Sequence, residues 1–169
     1  MNLTKPFLET ERLWLREFTH DDFDLVYNLS QEPAVMRYIG PVKNKEEALK
    51  DLNRYIAYYV QHPGYGYWAA FENQTDQFVG WFLLKILEET GENEIGYRLR
   101  KEFWGRGIAT EGGQGLIDYG QKKLGISRFV AVADPKNKAS RRVLEKLGLI
   151  HERDGRFYNF DCVYYAREM

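Results

Sequence analysis

The chain has 169 residues, and its 24 Lys and Arg against 25 Asp and Glu give a formal net charge of −1. This length is typical of one domain, and the near-zero charge argues against a protein that binds nucleic acid through bulk basicity. No apolar run is long enough to predict a membrane span, and the first residues lack the apolar core of a secretion signal. The single cysteine, Cys162, excludes an internal disulfide and predicts a cytoplasmic location.

The first third of the chain predicts a strand followed by helices. Residues 12–18 alternate between apolar and polar, which is typical of a half-buried strand. Thr19 then opens a helix in a capping-box arrangement, and a short helical piece follows at 34–38. Asn44 is the N-cap of a longer helix that reaches about residue 62.

The rest of the chain predicts an antiparallel meander and then alternating helices and strands. The meander ends at a glycine-rich turn, which leads into a helix ending near residue 123. With the first strand, the predicted sheet has seven strands in one α+β or mixed α/β domain with flanking helices. The later elements are strands 67–72, 78–86, 94–100 and 127–133, a helix at 137–147, and strands 149–152 and 158–167.

The sharpest local feature is the segment WGRGIATE at 104–111, between a strand and a helix. Glycines allow backbone N–H groups to approach a ligand closely, and a helix N-terminus favours an anion, so phosphate or pyrophosphate suits this turn. A Rossmann fingerprint fails because Thr110 stands where its third glycine belongs. A Walker loop fails because Gln121 follows Gly120 where lysine is required. The alternative that this segment is a tight turn without any ligand also remains open.

Five segments stand in a fixed order along the chain. They are TERLWLREFTHDD (10–22), EPAVMRYIG (32–40), EIGYRL (94–99), WGRGIATE (104–111) and NKASRRVLEKLGL (137–149). Together they resemble the RimJ/RimL-type branch of the GNAT N-acetyltransferases, over about residues 9–168. Within them, Gly107, Ile108 and Ala109 are similar to the end of the family's Gln/Arg-x-x-Gly-x-Gly/Ala acetyl-CoA loop. Trp104 stands at the first position of that loop motif, where the family has Gln or Arg.

The resemblance implies a GNAT fold over residues 1–169 as a single domain. Its mixed, mostly antiparallel seven-stranded sheet would be splayed between strands 4 and 5, where acetyl-CoA would bind and CoA would remain as product. The backbone of Tyr97, Arg98 and Leu99 would pair with the pantetheine, and Asn137 would contact the cofactor with Ser140 close by. The loop residues expected to bind the cofactor are Trp104, Gly105, Arg106, Gly107, Ile108, Ala109 and Thr110.

Acetyl transfer to an amine needs a base, an oxyanion donor and a proton for the leaving thiolate. The resemblance assigns the oxyanion contact to the Leu99 N–H. Many GNAT proteins carry a tyrosine acid on the last helix, but Leu144 stands at that position here, so Ser140 is the candidate proton donor. Ser140 could equally bond only to local backbone. For the base we favour Glu94 and then Asp161, although Glu94 could be a solvated hairpin residue.

The 4 Trp, 12 Tyr and 10 Phe are the unusual feature of the composition. Several of them fall in two regions that are expected to flank an acceptor, although any one of them could instead belong to the core. No spacing of His, Cys, Asp and Glu predicts a metal site. The candidate acceptor-pocket residues are Tyr55, Tyr59, Tyr67, Trp68 and Tyr158.

These observations predict an acetyl-CoA-dependent N-acetyltransferase that works by direct attack, without a covalent enzyme intermediate. The acceptor would be a primary amine, either the α-amine of a peptide N-terminus or a small molecule such as a polyamine, an amino acid or an aminoglycoside. A non-catalytic CoA-binding regulatory module is the alternative from a different class. No nucleic-acid or membrane partner is expected, and the chain could be a monomer or a homodimer.

Overall fold

The computed structural model describes residues 6–169. The helices are α1 (Phe23–Ser30), α2 (Pro33–Met36), α3 (Lys45–Gln61), α4 (Ile108–Leu124) and α5 (Lys138–Lys146). The strands are β1 (Leu8–Glu9), β2 (Leu13–Glu17), β3 (Gly66–Glu72), β4 (Phe78–Leu87), β5 (Glu92–Leu99), β6 (Arg128–Ala133), β7 (Ile150–Phe157) and β8 (Phe160–Glu168).

These strands form one sheet in the order β1-β2-β3-β4-β5-β6-β8-β7, and only the β5–β6 pair is parallel. The predicted mixed, mostly antiparallel sheet with flanking helices is therefore confirmed. The sheet has eight strands rather than the predicted seven, because Leu8–Glu9 adds a short strand to the edge of β2. The strand predicted at 149–152 is also too short, since β7 pairs with β8 as far as Phe157.

The predicted helix starts coincide with side-chain caps. The Thr19 N–H donates to Asp22 Oδ2 at 2.7 Å, which begins the turn that leads into α1. At α3, the Glu47 N–H donates to Asn44 Oδ1 at 2.9 Å and the Asn44 N–H donates to Glu47 Oε2 at 2.8 Å. Such reciprocal bonds satisfy two N–H groups that the first turn of a helix leaves free.

The two faces of the sheet carry separate apolar layers. On one face, α1 and α3 pack on alternate residues of β3 and β4, including Tyr67, Trp81 and Leu83. On the other face, α4 and α5 pack on the intervening residues, including Phe82 and Leu84. This alternation follows the two-residue period of a strand.

The sheet opens where β5 meets β6. The two strands pair only at Asn93–Phe129 and Glu94–Val130, whereas β5 continues to Leu99 and β6 to Ala133. On its other edge β5 pairs with β4 along its whole length. The predicted splay is thus present. It was expected between the fourth and fifth strands, and these are β5 and β6 here because the short strand β1 adds one to the numbering.

Glycines inside α4 let this helix lie close against its neighbours. A Cβ on Gly112 would come within 2.2 Å of the Phe82 ring, and one on Gly113 would come within 2.8 Å of Leu147. Each glycine inside a helix costs about 1 kcal/mol relative to alanine, so close packing explains why these positions are not alanine. The contacts are with side chains of the protein rather than with a neighbouring backbone.

Glu111, in the first turn of α4, fastens the turn between β1 and β2 to this helix. Thr10 Oγ1 and the Arg12 N–H donate to Glu111 Oε1 at 2.6 and 2.7 Å, and Arg12 Nε donates to Oε2 at 2.6 Å. Burial alone would raise the pKa of Glu111, but these bonds from Thr10 and Arg12 lower it below the usual range. The carboxylate form therefore stabilises the folded chain.

We predict that Glu111→Gln lowers the free energy of unfolding at pH 7 by about 2 kcal/mol, or roughly 6 °C in Tm, because charge-assisted hydrogen bonds are lost. Since the folded pKa is lowered, this stabilisation is present above the ordinary value of 4.5 and is lost as the pH falls through the folded pKa. The difference in Tm between the wild type and Glu111→Gln should therefore narrow below about pH 4.5.

Glu46→Gln is the matched control, because Glu46 also lies in the first turn of a helix but is 78% exposed and pairs only with Lys50. Its Tm should change by less than about 1 °C. Equal losses of Tm in the two variants would contradict a specific role for the Glu111 bonds.

Candidate active site

The separation of β5 from β6 forms a cleft of about 910 Å³. One end, which we call the loop end, is lined by residues of the segment 104–110 together with Asn137 and Ser140. The opposite end, which we call the aromatic end, is lined by Tyr55, Tyr67, Trp81 and Tyr158. β5 forms the floor that joins the two ends.

Free backbone N–H groups converge at the loop end. Gly105 and Gly107 have φ values of 70° and 77°, which turn the chain so that it enters α4. Among the described residues, the N–H groups of 105–110 donate to no backbone or side-chain acceptor. Because the N-terminus of a 17-residue helix also lies here, the loop end is built to bind an anion such as a phosphate.

Side-chain contacts hold the loop in place. Arg12 Nη1 donates to the Arg106 carbonyl at 2.8 Å, and Trp104 Nε1 donates to the Leu99 carbonyl at 3.0 Å. The Arg106 side chain pairs with Glu72 at 2.8 Å. Of the predicted loop residues, Arg106 alone does not line the cleft, so its side chain does not contribute to the site.

The backbone of β5 offers alternate residues to the cleft. The Arg100 N–H donates to the Val79 carbonyl beside β4, and alternate residues of a strand direct their N–H groups to opposite edges. Tyr97 and Leu99 therefore direct their N–H groups towards the cleft, which is the direction that their predicted backbone contacts require. Arg98 directs its backbone towards β4, so its predicted backbone contact with a ligand in the cleft is corrected.

Asn137, Ser140 and Tyr97 meet where α5 begins beside β5. Asn137 Oδ1 accepts a hydrogen bond from the Ser140 N–H at 3.1 Å, which caps α5 and leaves the Ser140 hydroxyl free of that role. Burial raises the pKa of Tyr97, and the nearby Ser140 side chain opposes that rise. The family resemblance gives Tyr97 only a backbone role, so its hydroxyl is a further candidate group that the sequence did not indicate. Its place on the α5 side of β5 follows from strand alternation.

Glu94 is a buried carboxylate of β5, and its side chain lies on the face of the sheet that lines the aromatic end. It is 5% exposed, and Lys85 of β4 lies opposite it with Nζ at 3.1 Å from Glu94 Oε2. The Tyr158 hydroxyl donates to the same oxygen. Burial raises the pKa of Glu94, and the Lys85 charge and the Tyr158 bond oppose that rise. The alternative of a solvated hairpin residue is therefore wrong.

Tyr158 reaches Glu94 through an unusual turn between β7 and β8. Tyr158 and Asn159 have φ values of 53° and 63°, a conformation that a bulky residue such as tyrosine rarely adopts. The Tyr158 N–H donates to Glu89 Oε1 at 2.7 Å, and Lys85 Nζ lies 4.9 Å from the centre of the tyrosine ring. These contacts hold the ring against Glu94.

Three predicted site residues have other surroundings than expected. Asp161 lines the rim of the cleft, but its side chain is 89% exposed and only Arg156 lies near it, at 3.8 Å. Trp68 is 1% exposed and stacks on Phe7 in the core on the α4 side. Tyr59 binds the Phe18 N–H and the Tyr67 carbonyl instead of facing the cleft. Trp68 and Tyr59 are therefore corrected to structural residues.

The aromatic end also contains arginines that the sequence analysis did not place there. Arg54 of α3 pairs with Asp51 at 3.0 Å and donates to the Tyr67 hydroxyl at 3.3 Å. The Arg98 guanidinium lies over Trp81, with its carbon 5.0 Å from the ring centre. Burial raises the pKa of Tyr55 to about 12, and the Arg98 charge opposes that rise.

The cleft thus combines an anion site, unpaired N–H groups along a strand edge and a buried carboxylate with a raised pKa. Such a carboxylate can accept a proton near neutral pH. Within residues 6–169, no group of His, Cys, Asp and Glu side chains could hold a metal ion. Over the same residues, no helix has the length and apolar character needed to cross a membrane.

Comparison with known proteins identifies the family. Residues 12–150 match the acetyltransferase (GNAT) domain. The Bacillus subtilis protein named uncharacterized N-acetyltransferase YoaA is 32% identical over 150 residues, which cover 87% of this chain and 84% of YoaA. The structure of a GNAT-family acetyltransferase from Bacillus anthracis has a TM-score of 0.82 and 25% identity, and the match covers 95% of this chain and 97% of that one.

A further solved structure is RimL, described as a ribosomal L7/L12 alpha-N-protein acetyltransferase in complex with coenzyme A. Its TM-score is 0.79 at 21% identity, with 98% of both chains covered. At this identity the likeness shows that the two chains share a fold. The chain belongs to the GNAT family of N-acetyltransferases, which transfer an acetyl group from acetyl-CoA to an amine acceptor.

Proposed function

We propose that this N-acetyltransferase acetylates the α-amine of a peptide by direct attack on acetyl-CoA, with Glu94 as the general base and CoA as the released product. The observation that carries the proposal is the buried Glu94 on the cleft floor, where Tyr158 of the aromatic end binds it. Acetyl-CoA supplies the activated thioester, so no covalent enzyme intermediate is needed.

The residues of the loop end fit acetyl-CoA. The free N–H groups of 105–110 would bind the pyrophosphate, and the free Tyr97 and Leu99 N–H groups would bind the pantetheine as an added strand. Asn137 lines the same end and would contact the cofactor through its side-chain amide. Since the backbone provides these contacts, Trp104 in place of Gln or Arg does not impair the loop.

Glu94 would take the proton that the amine must lose, and because Leu99 lies five residues further along β5, this proton would travel through water in the cleft. Desolvation makes its carboxylate a stronger base than an exposed one, while Lys85 and Tyr158 keep the ionised form accessible. The Leu99 N–H, free at the strand edge, would donate to the thioester oxygen as negative charge develops there. The exposed Asp161 lacks this desolvation, so we rank it below Glu94 as the base.

Ser140 and Tyr97 would protonate the leaving thiolate. Both residues line the cleft beside the predicted position of the pantetheine, and Ser140 is near enough to Tyr97 to influence the pKa of its hydroxyl. Two neighbouring hydroxyls can supply a proton even though Leu144 occupies the position of the usual tyrosine acid.

The peptide acceptor is supported by the likeness to RimL and by the shape of the aromatic end. There the cleft is bordered by Tyr38 and Ile39 on one side and by Tyr158 and Phe160 on the other. Ile39, Tyr158 and Phe160 are exposed at 37%, 42% and 52%, so the rim offers apolar contacts to a chain that continues outwards. A small-molecule amine is the second candidate, since Tyr55 and Tyr67 also line the inner cleft.

We predict that an acceptor screen with acetyl-CoA will detect thiol release with N-terminal peptides. The panel should hold peptides of varied first residues, the same peptides with a blocked α-amine, and small amines including polyamines, amino acids and aminoglycosides. Turnover that needs a free peptide α-amine supports the proposal. Turnover with small amines alone would overturn the peptide acceptor while keeping the chemistry.

We predict that Glu94→Gln lowers kcat roughly 100-fold or more, because the base is lost. In the wild type, kcat should rise with pH as Glu94 loses its proton, and the midpoint should lie above the ordinary value of 4.5 because the pKa of Glu94 is raised. Glu94→Gln should lose this limb of the pH profile. An unchanged kcat and profile would remove Glu94 from its role.

Tyr158→Phe provides the matched control for this experiment. The Tyr158 bond lowers the pKa of Glu94, so its removal should move the acidic limb to higher pH without abolishing turnover. If the acidic limb of the kcat profile has the same midpoint pH in Tyr158→Phe as in the wild type, Tyr158 does not act through Glu94.

We predict that Ser140→Ala and Tyr97→Phe each lower kcat, and that the double variant falls by about 100-fold. The affinity for CoA, measured by calorimetry, should stay within about twofold of the wild type in Ser140→Ala, because the backbone provides the cofactor contacts. If kcat were unchanged in the double variant, another group would have to protonate the thiolate.

A further inference from the structure

Arg98 carries a charge that no described residue balances. Its Nε and Nη1 atoms are buried and have no hydrogen-bond partner. Nη2 is not among the buried unpaired atoms, and Arg98 lines the cleft, so this nitrogen is the one that a ligand can reach. A buried guanidinium without a counter-ion is costly, and such groups in folded proteins call for a functional explanation.

The other interior charges at the aromatic end are paired. Arg54 is bound to Asp51 at 3.0 Å, and Lys85 is bound to Glu94 at 3.1 Å. Asp51 is also bound by Lys43, so both carboxylates are already neutralised and neither is left to balance the positive charge of Arg98. A cationic acceptor alone would increase the imbalance, whereas an acceptor that also carries an anion would remove it.

The position of Arg98 sets where that anion would lie. Arg98 and Glu94 are four residues apart on the same face of β5, which separates their Cα atoms by roughly 13 Å along the strand. Trp81 lies opposite Arg98 on β4 and supports the guanidinium through a cation–π contact at 5.0 Å. Arg98 thus presents its guanidinium to the cleft from the residue next to Leu99, whose N–H is the proposed contact of the acetyl oxygen.

We infer that Arg98 binds a carboxylate on the acceptor, so that the enzyme selects amines that carry a carboxylate near the reacting nitrogen. This inference rests on the proposed function. A guanidinium is suited to this role because its planar set of N–H donors matches a carboxylate. The carboxylate can come from an acidic side chain close to a peptide N-terminus or from the terminal carboxylate of a short acceptor.

Matched acceptor pairs test the inference and separate the two sources. One pair is the peptide Ala-Asp-Ala amide against Ala-Asn-Ala amide, and the other is the dipeptide Ala-Ala against its C-terminal amide. We expect the wild type to favour the carboxylate member of one pair by roughly tenfold to 100-fold in kcat/KM, mainly through KM. The pair that shows the preference identifies the source.

Arg98→Gln should remove this preference while leaving kcat/KM for the uncharged member within about threefold of the wild type. Arg98→Lys should keep part of the preference, because it keeps the charge without the planar donor set. Arg37→Gln is the control, since Arg37 is an exposed arginine at the cleft rim and its loss tests bulk electrostatics alone. Melting curves and CoA binding confirm that each variant is folded.

The inference is overturned if the wild type treats both members of each pair alike, or if Arg98→Gln slows both members equally. A binding experiment tests the inference without turnover. In it, calorimetry measures the binding of the N-acetylated peptides to the CoA-saturated enzyme. Tighter binding of the aspartate product to the wild type, lost in Arg98→Gln, supports the inference even if no peptide is acetylated. Equal binding of the two products, or no binding of either, overturns it.

Discussion

The rest of the site depends on one constraint, which is that the pairing between β5 and β6 stops after two residue pairs. Only two residue pairs join these strands, so β5 continues to Leu99 with one free edge. A free edge exposes N–H and C=O groups that must find a partner. Here the edge lies inside a cleft, where an extended ligand can supply that partner. In the proposed function this ligand is the pantetheine of acetyl-CoA, so its binding would be a consequence of an incomplete sheet.

Helix α4 can use this opening only because it lies unusually close to the sheet. The Phe82 ring occupies the space in which any side chain at position 112 would have to fit. The glycines weaken the helix locally, and the packing of Ile108, Leu116 and Ile117 against the sheet offsets that cost. The same close approach brings the helix N-terminus to the gap, so stability and anion binding depend on one contact.

The sequence was sufficient for the fold and for the place of the glycine-rich turn because both depend on local patterns. Alternation, the caps at Thr19 and Asn44, and the loop at 104–111 are each readable from a few neighbouring residues. The aromatic end could not be derived in the same way. The contact of Lys85 with Glu94 depends on the register of β4 against β5, and Tyr158 joins them from a part of the chain more than 60 residues away. Nothing local distinguishes the buried Trp68 from a pocket aromatic.

The chemistry of Glu94 depends on a balance between burial and two neighbours. Desolvation without compensation would keep the carboxyl protonated, and a protonated group cannot accept a proton from an amine. A stronger ion pair would instead lower its pKa and make it a weaker base. Lys85 is fixed by the sheet, whereas Tyr158 depends on a turn with positive φ angles that Glu89 helps to hold. The β7–β8 hairpin therefore influences the strength of the proposed base, which belongs to another strand, and we expect a change in this turn to alter catalysis without touching the loop at 104–111.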